Sequence, residues 1–265
     1  MKISAPAVLS FLGALLAVES ARAQPIRAVY DVYAAGMTVL QLEAVFDLSA
    51  TGYRVETQLR TRGIASTIVP GQQVAQVVGA WQAGQARPSS YRSHGTWRGR
   101  ERVVVLAWEA GNPVVQALVP PDEEEREVVP ADARRGTIDA LSALALLSRT
   151  VAGSGGCQGQ APVFDGRRRS DFASQGGALE IIRPWGEAWH GQALRCSFIG
   201  RQVAGFLRDQ PRGEAARPQQ GTAWMAAPFP GAPPIPVRIE MPSRWFGTAT
   251  AVLLRAESSA VAQRR

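Results

Sequence analysis

The sequence predicts a mainly β fold, an antiparallel meander of about a dozen strands with one buried helix. Three observations point there. Segments rich in β-branched and aromatic residues recur along the chain, and Gly, Pro and Asn punctuate them at short intervals. One stretch, "TIDALSALALLSRTVAG" at 137–153, is apolar on almost every side of a helix yet too short to cross a bilayer, so the rest of the protein must cover it. No repeat of fixed period, low-complexity block or linker divides the chain, which predicts a single β-rich domain over residues 24–265.

A leader comes first. "MKISAPAVLSFLGALLAVESARAQ" carries one lysine, an apolar run from Ala5 to Val18 and the small-x-small tripeptide Ala21-Arg22-Ala23. This pattern predicts a secretory signal peptide over residues 1–23, cleaved to leave a soluble exported chain that starts near Gln24. No cysteine follows the cleavage site to carry a lipid, and no stable membrane span is expected once the leader is gone.

"IRAVYDVYAAGMTVLQLEAVFDL", residues 26–48, reads as two strands or one long strand kinked at Gly36. After the turn "SATG", Tyr53, Val55, Thr57 and Leu59 alternate with polar neighbours, which predicts a strand with one buried face. Further strands are expected at Gln73–Trp81, Ser89–Trp97, Arg102–Trp108 and Val114–Val119, separated by "QAGQARP", "RGRE" and "AGNP". The acidic run Asp122 to Glu125 lacks the spacing and the glycine of a calcium loop, so a solvated loop is expected. Thr137 is placed to cap the buried helix that follows.

In "VFDGRRRSDF", residues 163–172, Val163 and Phe164 end a strand, Asp165-Gly166 forms a hairpin turn, and Arg167 starts the returning strand. Arg167, Arg168 and Arg169 would then alternate faces, and at least one would point inward or along the sheet edge. These three are the candidate contacts to an anion or ligand. A phosphate cradle built from backbone would instead need several glycines leading into a helix. "ALEIIRP", "EAWHGQALRCSFIGRQVAGF" and "TAWMAAP" are further strands. The Pro-rich "PFPGAPPIP" leads into "PVRIEMPSRWFGTATAVLLRAE", two strands joined near Pro242 to Phe246, and "SSAVAQRR" is expected to fray.

The chain has 29 Lys plus Arg against 22 Asp plus Glu, a net charge of +7. Without Lys2, Arg22 and Glu19 of the leader the charge is +6, and every Lys or Arg left is an arginine. Guanidinium groups pair with phosphate and carboxylate in bidentate fashion, as an anion-binding surface requires. Codon bias in a genome rich in G and C, consistent with the abundant Ala, Gly and Pro, gives the same composition. Export argues against a nucleic-acid partner. The two cysteines, Cys157 and Cys196, form an even pair in an oxidising compartment and predict one disulfide. The alternative, a nucleophilic thiol, needs a base, and neither His94 nor His190 stands in a cysteine-protease signature.

Several segments resemble, in order, the bacterial exported proteins grouped as the domain of unknown function 3108 family. They are Tyr30 and Gly36, Tyr53, Pro88 and Tyr91, "TIDALSAL" at 137–144, "VFDGRRR" at 163–169, Cys196 after "GQALR", and the closing "PIPVRIEMPSRWFGTATAVL". Ala140 stands where relatives carry a proline after the aspartate of the helix segment. The resemblance implies a periplasmic or envelope location. It also implies a strongly curved antiparallel sheet or half-open barrel with one buried helix, similar in outline to periplasmic lipoprotein carriers. It implies no reaction.

No Gly-x-Ser-x-Gly elbow, dinucleotide fingerprint or metalloprotease motif occurs, and "GSGG" at 153–156 reads as a linker to Cys157. The expectation is a non-catalytic protein without cofactor or metal. The seven tryptophans are scattered over most of the expected strands, which favours packing over a stacking platform. Two function classes follow. One is a binding or carrier protein for an apolar or anionic amphiphile such as a lipid or a lipoprotein acyl chain, with arginines at the rim. The other is an envelope assembly factor that binds another protein.

Overall fold

The computed structural model describes residues 24–243 and 247–259. The expected signal peptide, Trp245 with the turn around it, and residues 260–265 of the expected frayed end lie outside the described residues.

The strands are β1 (Ile26–Ala34), β2 (Met37–Leu48), β3 (Gly52–Thr61), β4 (Gly71–Gln82), β5 (Gln85–Trp97), β6 (Arg100–Glu109), β7 (Asn112–Val119), β8 (Gly159–Phe164), β9 (Arg169–Ile182), β10 (Gly191–Ala204), β11 (Gln219–Ala226), β12 (Ile235–Ser243) and β13 (Gly247–Ser258). Five helical segments join them: α1 (Gly63–Ile68), α2 (Asp122–Glu125), α3 (Ala131–Arg134), α4 (Ala140–Ser154) and α5 (Arg212–Ala215). All thirteen strands belong to one antiparallel sheet in the order β7-β6-β5-β4-β3-β2-β1-β13-β12-β11-β10-β9-β8. Two meanders, β1–β7 and β8–β13, are thus zipped together where the first strand pairs with the last, from Ile26 opposite Ser258 to Ala34 opposite Ala249.

The free edges, β7 and β8, are nearly joined by the segment between them. Ile138 forms a parallel bridge with Val163, its N–H donating to Pro162 O at 2.9 Å and its carbonyl accepting from Phe164 N at 2.8 Å. On the other side Trp108 Nε1 donates to Thr137 O (2.8 Å) and Gly136 N to Asn112 Oδ1 (3.1 Å). Covering an edge in this way removes an unpaired template for aggregation. The result is a nearly closed barrel.

Period-two alternation decides what faces the interior. Ile26, Ala28 and Tyr30 of β1, Tyr53 and Val55 of β3, Val77 of β4 and Leu106 of β6 are all buried, as the alternation in β3 predicted. The helix α4 lies in the concavity. Its buried face is Ser142, Ala145, Ser148 and Val151, small residues that let the helix axis approach the sheet. Leu141, Leu144 and Leu146 pack on the core shared with β1–β4, while Leu147 and Val151 reach the cluster of Leu194, Cys196, Ala223 and Met225 on β10 and β11.

The cap of α4 corrects one expectation. Asp139, not Thr137, is the N-cap, and its Oδ1 accepts from Leu141 N and Ser142 N, both at 2.9 Å. Asp139 Oδ2 accepts from the Ser142 hydroxyl, which in turn accepts from Tyr53 OH at 2.8 Å, so the cap is tied to β3. Burial pushes the Asp139 carboxyl above the usual carboxylate range, with these hydrogen bonds opposing the shift. Thr137 is buried and donates to Arg134 O at 2.7 Å. At the other end Gly155 takes the left-handed conformation (φ 64°) that closes a helix. Two residues later Cys157 is bonded to Cys196 of β10, with Cα atoms 5.5 Å apart, so the helix terminus is fastened to the sheet.

Candidate functional site

Asp165-Gly166 was expected to form a two-residue hairpin, with Arg167 already in the returning strand. The structure differs: Phe164 pairs with Arg169, and residues 165–168 form the turn. Asp165 is the reason. Its Oδ1 accepts from both Arg167 N (2.9 Å) and Arg168 N (2.7 Å), which curls the backbone for two further residues, while Gly166 takes φ 93°. The three arginines therefore do not alternate along a strand. Arg169 leaves the group: it donates to Ala133 O and pairs with Asp171.

Arg167 and Arg168 project from this turn over the open end of the barrel, where they meet Arg102 of β6 and Arg126 in a cleft of about 380 Å³. The opposite wall comes from β4 and β5, through Gln73, Tyr91, Ser93 and Trp97. Ser93 is buried and accepts from Gln73 Nε2. Val104 gives the cleft an apolar contact and packs beneath it on Leu106, Val129 and Phe164 in the core.

The four guanidinium groups are not equally satisfied. Arg102 donates twice to Glu125, Nη1 to Oε2 at 2.7 Å and Nη2 to Oε1 at 2.8 Å, and this carboxylate holds its pKa up. Arg102 in turn holds the Glu125 carboxyl below its usual range. Arg167 is only 12% exposed and donates to Val119 O (2.7 Å), Pro120 O (2.9 Å) and Asp122 Oδ1 (3.3 Å). Its pKa is lowered by burial, with Asp122 opposing. Arg168 is bound back to Asp165. Arg126 donates from Nη1 to Gly205 O at 3.0 Å, but its buried Nε has no acceptor among the described residues. Burial lowers its pKa, and the neighbouring charges of Arg168 and Arg167 add to the effect. Among the acids, Asp122 is buried and its carboxyl is pushed up to about 6, against the pull of Arg167 and Arg126.

Four guanidinium groups here meet three carboxylates, Asp122, Glu125 and Asp165: cations held in a low-dielectric wall lose hydration, and an anion entering between them compensates for that loss by charge pairing. The acidic run is also corrected. It is not simply a solvated loop, because Asp122 and Glu125 at its two ends face Arg167 and Arg102. His94 and His190 are exposed and take no part in the cleft. Sequence reasoning missed Arg102 and Arg126. Arg102 was within reach, because it shares the inward parity of Val104 and Leu106, whereas nothing local marks Arg126.

The fold and the cleft together define a nearly closed, helix-filled antiparallel β-barrel with a cationic mouth. Residues 29–253 match the family described as protein of unknown function (DUF3108), and the chain belongs to that family. Among solved structures it is similar to the β-barrel-like protein of the domain of unknown function DUF1849 from Brucella abortus. That likeness has a TM-score of 0.50 at 16% identity and covers 89% of this chain and 98% of that one. It is also similar to a protein with a YmcC-like fold from Bacteroides fragilis, at a TM-score of 0.32 and 11% identity over 88% of this chain and 95% of that one. No curated protein matches the chain.

Proposed function

We propose that this protein is a non-catalytic, exported envelope protein that binds a phosphate or carboxylate group of its ligand in the arginine-lined cleft. Export is inferred from the leader at 1–23 and from the disulfide, which suits the periplasm. The observation that carries the reading is Arg126: a half-buried guanidinium that lines the cleft with Arg102, Arg167 and Arg168 and has no carboxylate partner among the described residues. A bidentate oxyanion would accept from its terminal Nη donors and from the neighbouring guanidinium groups. The helix α4 occupies the concavity, so if the ligand has an acyl chain, the chain lies outside the barrel.

The test is calorimetric titration with inorganic phosphate, glycerol phosphate and short-chain phosphatidylglycerol. Saturable binding is expected, and Arg126→Gln should weaken it about tenfold, the worth of one charge-assisted hydrogen bond. Wild-type affinity in Arg126→Gln, or no saturable binding of any of the three, overturns the reading. Equal affinity for phosphate and glycerol phosphate would identify a free anion as the ligand. Tighter binding of phosphatidylglycerol would identify a lipid headgroup.

A further inference from the structure

Beside the cleft the same end of the barrel carries an apolar tip that the fold leaves uncovered. The connection from β3 to β4 forms the short helix α1, none of whose residues is buried. Ile64 and Ile68, four residues apart and so on one face of the helix, are 59% and 71% exposed. The start of α1 is tied to the start of β2 by Arg62 N donating to Val39 O, and Met37 there is 47% exposed. Its end is tied to the β5–β6 turn by Arg98 N donating to Pro70 O at 2.8 Å. Trp97, in the cleft wall and 37% exposed, lays its ring on Gly71 so closely that an added Cβ would stand 2.3 Å from it. Met37, Ile64, Ile68 and Trp97 thus crown one rim, with Arg62, Arg98 and Arg100 exposed around them and the arginine cleft behind Trp97.

Large isoleucines at an exposed loop tip gain nothing in water. Apolar side chains at a tip, an aromatic ring behind them and a collar of arginines form the pattern that inserts shallowly into a bilayer interface with anionic headgroups. The geometry points to this end of the barrel as a docking surface for an anionic lipid bilayer, with Ile64 and Ile68 entering the acyl boundary and the arginines meeting the headgroups. The inference rests on the cleft reading only for the headgroup contact, because the insertion belongs to α1.

The experiment is sedimentation of the chain from Gln24 to Arg265, without the leader, with vesicles of phosphatidylcholine, pure or mixed with phosphatidylglycerol, alongside the phosphate titration. Partitioning onto the mixed vesicles is expected. It should fall at least about tenfold in the double variant Ile64→Ser with Ile68→Ser, given the apolar area removed. It should also weaken as salt screens the arginines. Both isoleucines are exposed, so the variant should melt with the wild type, which a thermal scan checks. Absent partitioning, or partitioning unchanged in the double variant, overturns the docking inference. A wild-type dimer that the double variant abolishes would assign the tip to a second copy and overturn it as well. Phosphate binding without vesicle binding would sink docking and leave the cleft reading intact. Vesicle binding with no saturable binding of phosphate, glycerol phosphate or short-chain phosphatidylglycerol would do the reverse.

Discussion

In β1–β7 four hairpins close in two residues, Ala35-Gly36, Ala83-Gly84, Arg98-Gly99 and Ala110-Gly111, and at each pair both residues have positive φ. In β8–β13 the connections span 165–168, 183–190, 205–218 and 227–234. Tight turns with both central residues left-handed match the right-handed twist of strands and fix register locally. Long connections do not, so the second meander is fixed by contacts distant in sequence. Trp189 N donates to Leu253 O at 2.7 Å, Glu127 N to Phe206 O at 2.9 Å, and Cys157 is bonded to Cys196. The cleft lies at the seam of the two regimes. One wall is strands β4–β6 set by short turns, and the other is the 165–168 turn and Arg126, held by cross-chain bonds.

Removing the disulfide tests this contrast most severely. The bond closes a separation of 39 residues, for which the chain-entropy relation gives about 4 kcal/mol. The pair Cys157→Ser with Cys196→Ser should lower the urea midpoint accordingly. Amide exchange should accelerate most in β9 and β10 and least in β2–β4. Equal acceleration in β3 would show that the sheet opens as one unit, and the contrast would fail.

The seam itself titrates. Burial raises the Asp122 carboxyl to about 6 from its ordinary 3.8. A raised carboxyl pKa means that the folded state binds the proton more tightly than the unfolded chain. Its stabilising contribution is therefore fully present below 3.8 and is lost as pH rises through about 6. Between pH 7.5 and 5.5 Asp122 takes up a proton and the cleft gains positive charge, while Glu125, held low by Arg102, stays ionised. Sulfate does not titrate in this range, so its affinity should rise severalfold on acidification. Asp122→Asn should bind sulfate tightly at both ends of the range. A wild-type profile that is flat would mean that Asp122 does not face the bound anion.

Much of the β1–β7 half, and the apolar helix that follows it, was legible because the signals are local: alternation in β3, Gly-punctuated turns and the apolar run of α4. The reading failed where a long-range contact chose between local options. Thr137 and Asp139 are both competent caps, and the choice of Asp139 comes from Ser142 and Tyr53, the latter on a strand far earlier in the chain. Asp165-Gly166 announces a turn, but the Asp165 side chain lengthens it to Arg168. The closure of the sheet by Ile138 has no periodicity to read, being one bridge. The cysteine pair was readable from compartment and count. For the site, two of the three proposed arginines line the cleft, and their partners Arg102 and Arg126 come from segments that only the closed barrel brings together.

The smallest effect concerns the turns. Ala83 sits at φ 49° and Ala110 at φ 48°, in a region that costs an L-residue about 1–2 kcal/mol and that asparagine tolerates better. Ala83→Asn should therefore stabilise the protein by about 0.5 kcal/mol, since Asn-Gly is the preferred pair for this turn. Thermal denaturation should show a small upward shift, and adding Ala110→Asn should contribute separately, the two turns being independent. The matching change in the other half has the opposite sign. At Gly166, with φ 93°, an added Cβ would stand 2.4 Å from Val104 Cγ1, so Gly166→Ala strains the backbone and presses the 165–168 turn off the cleft floor. If Gly166→Ala leaves both melting and anion binding unchanged, that turn is not held against β6, and distant contacts do not fix this part of the second meander.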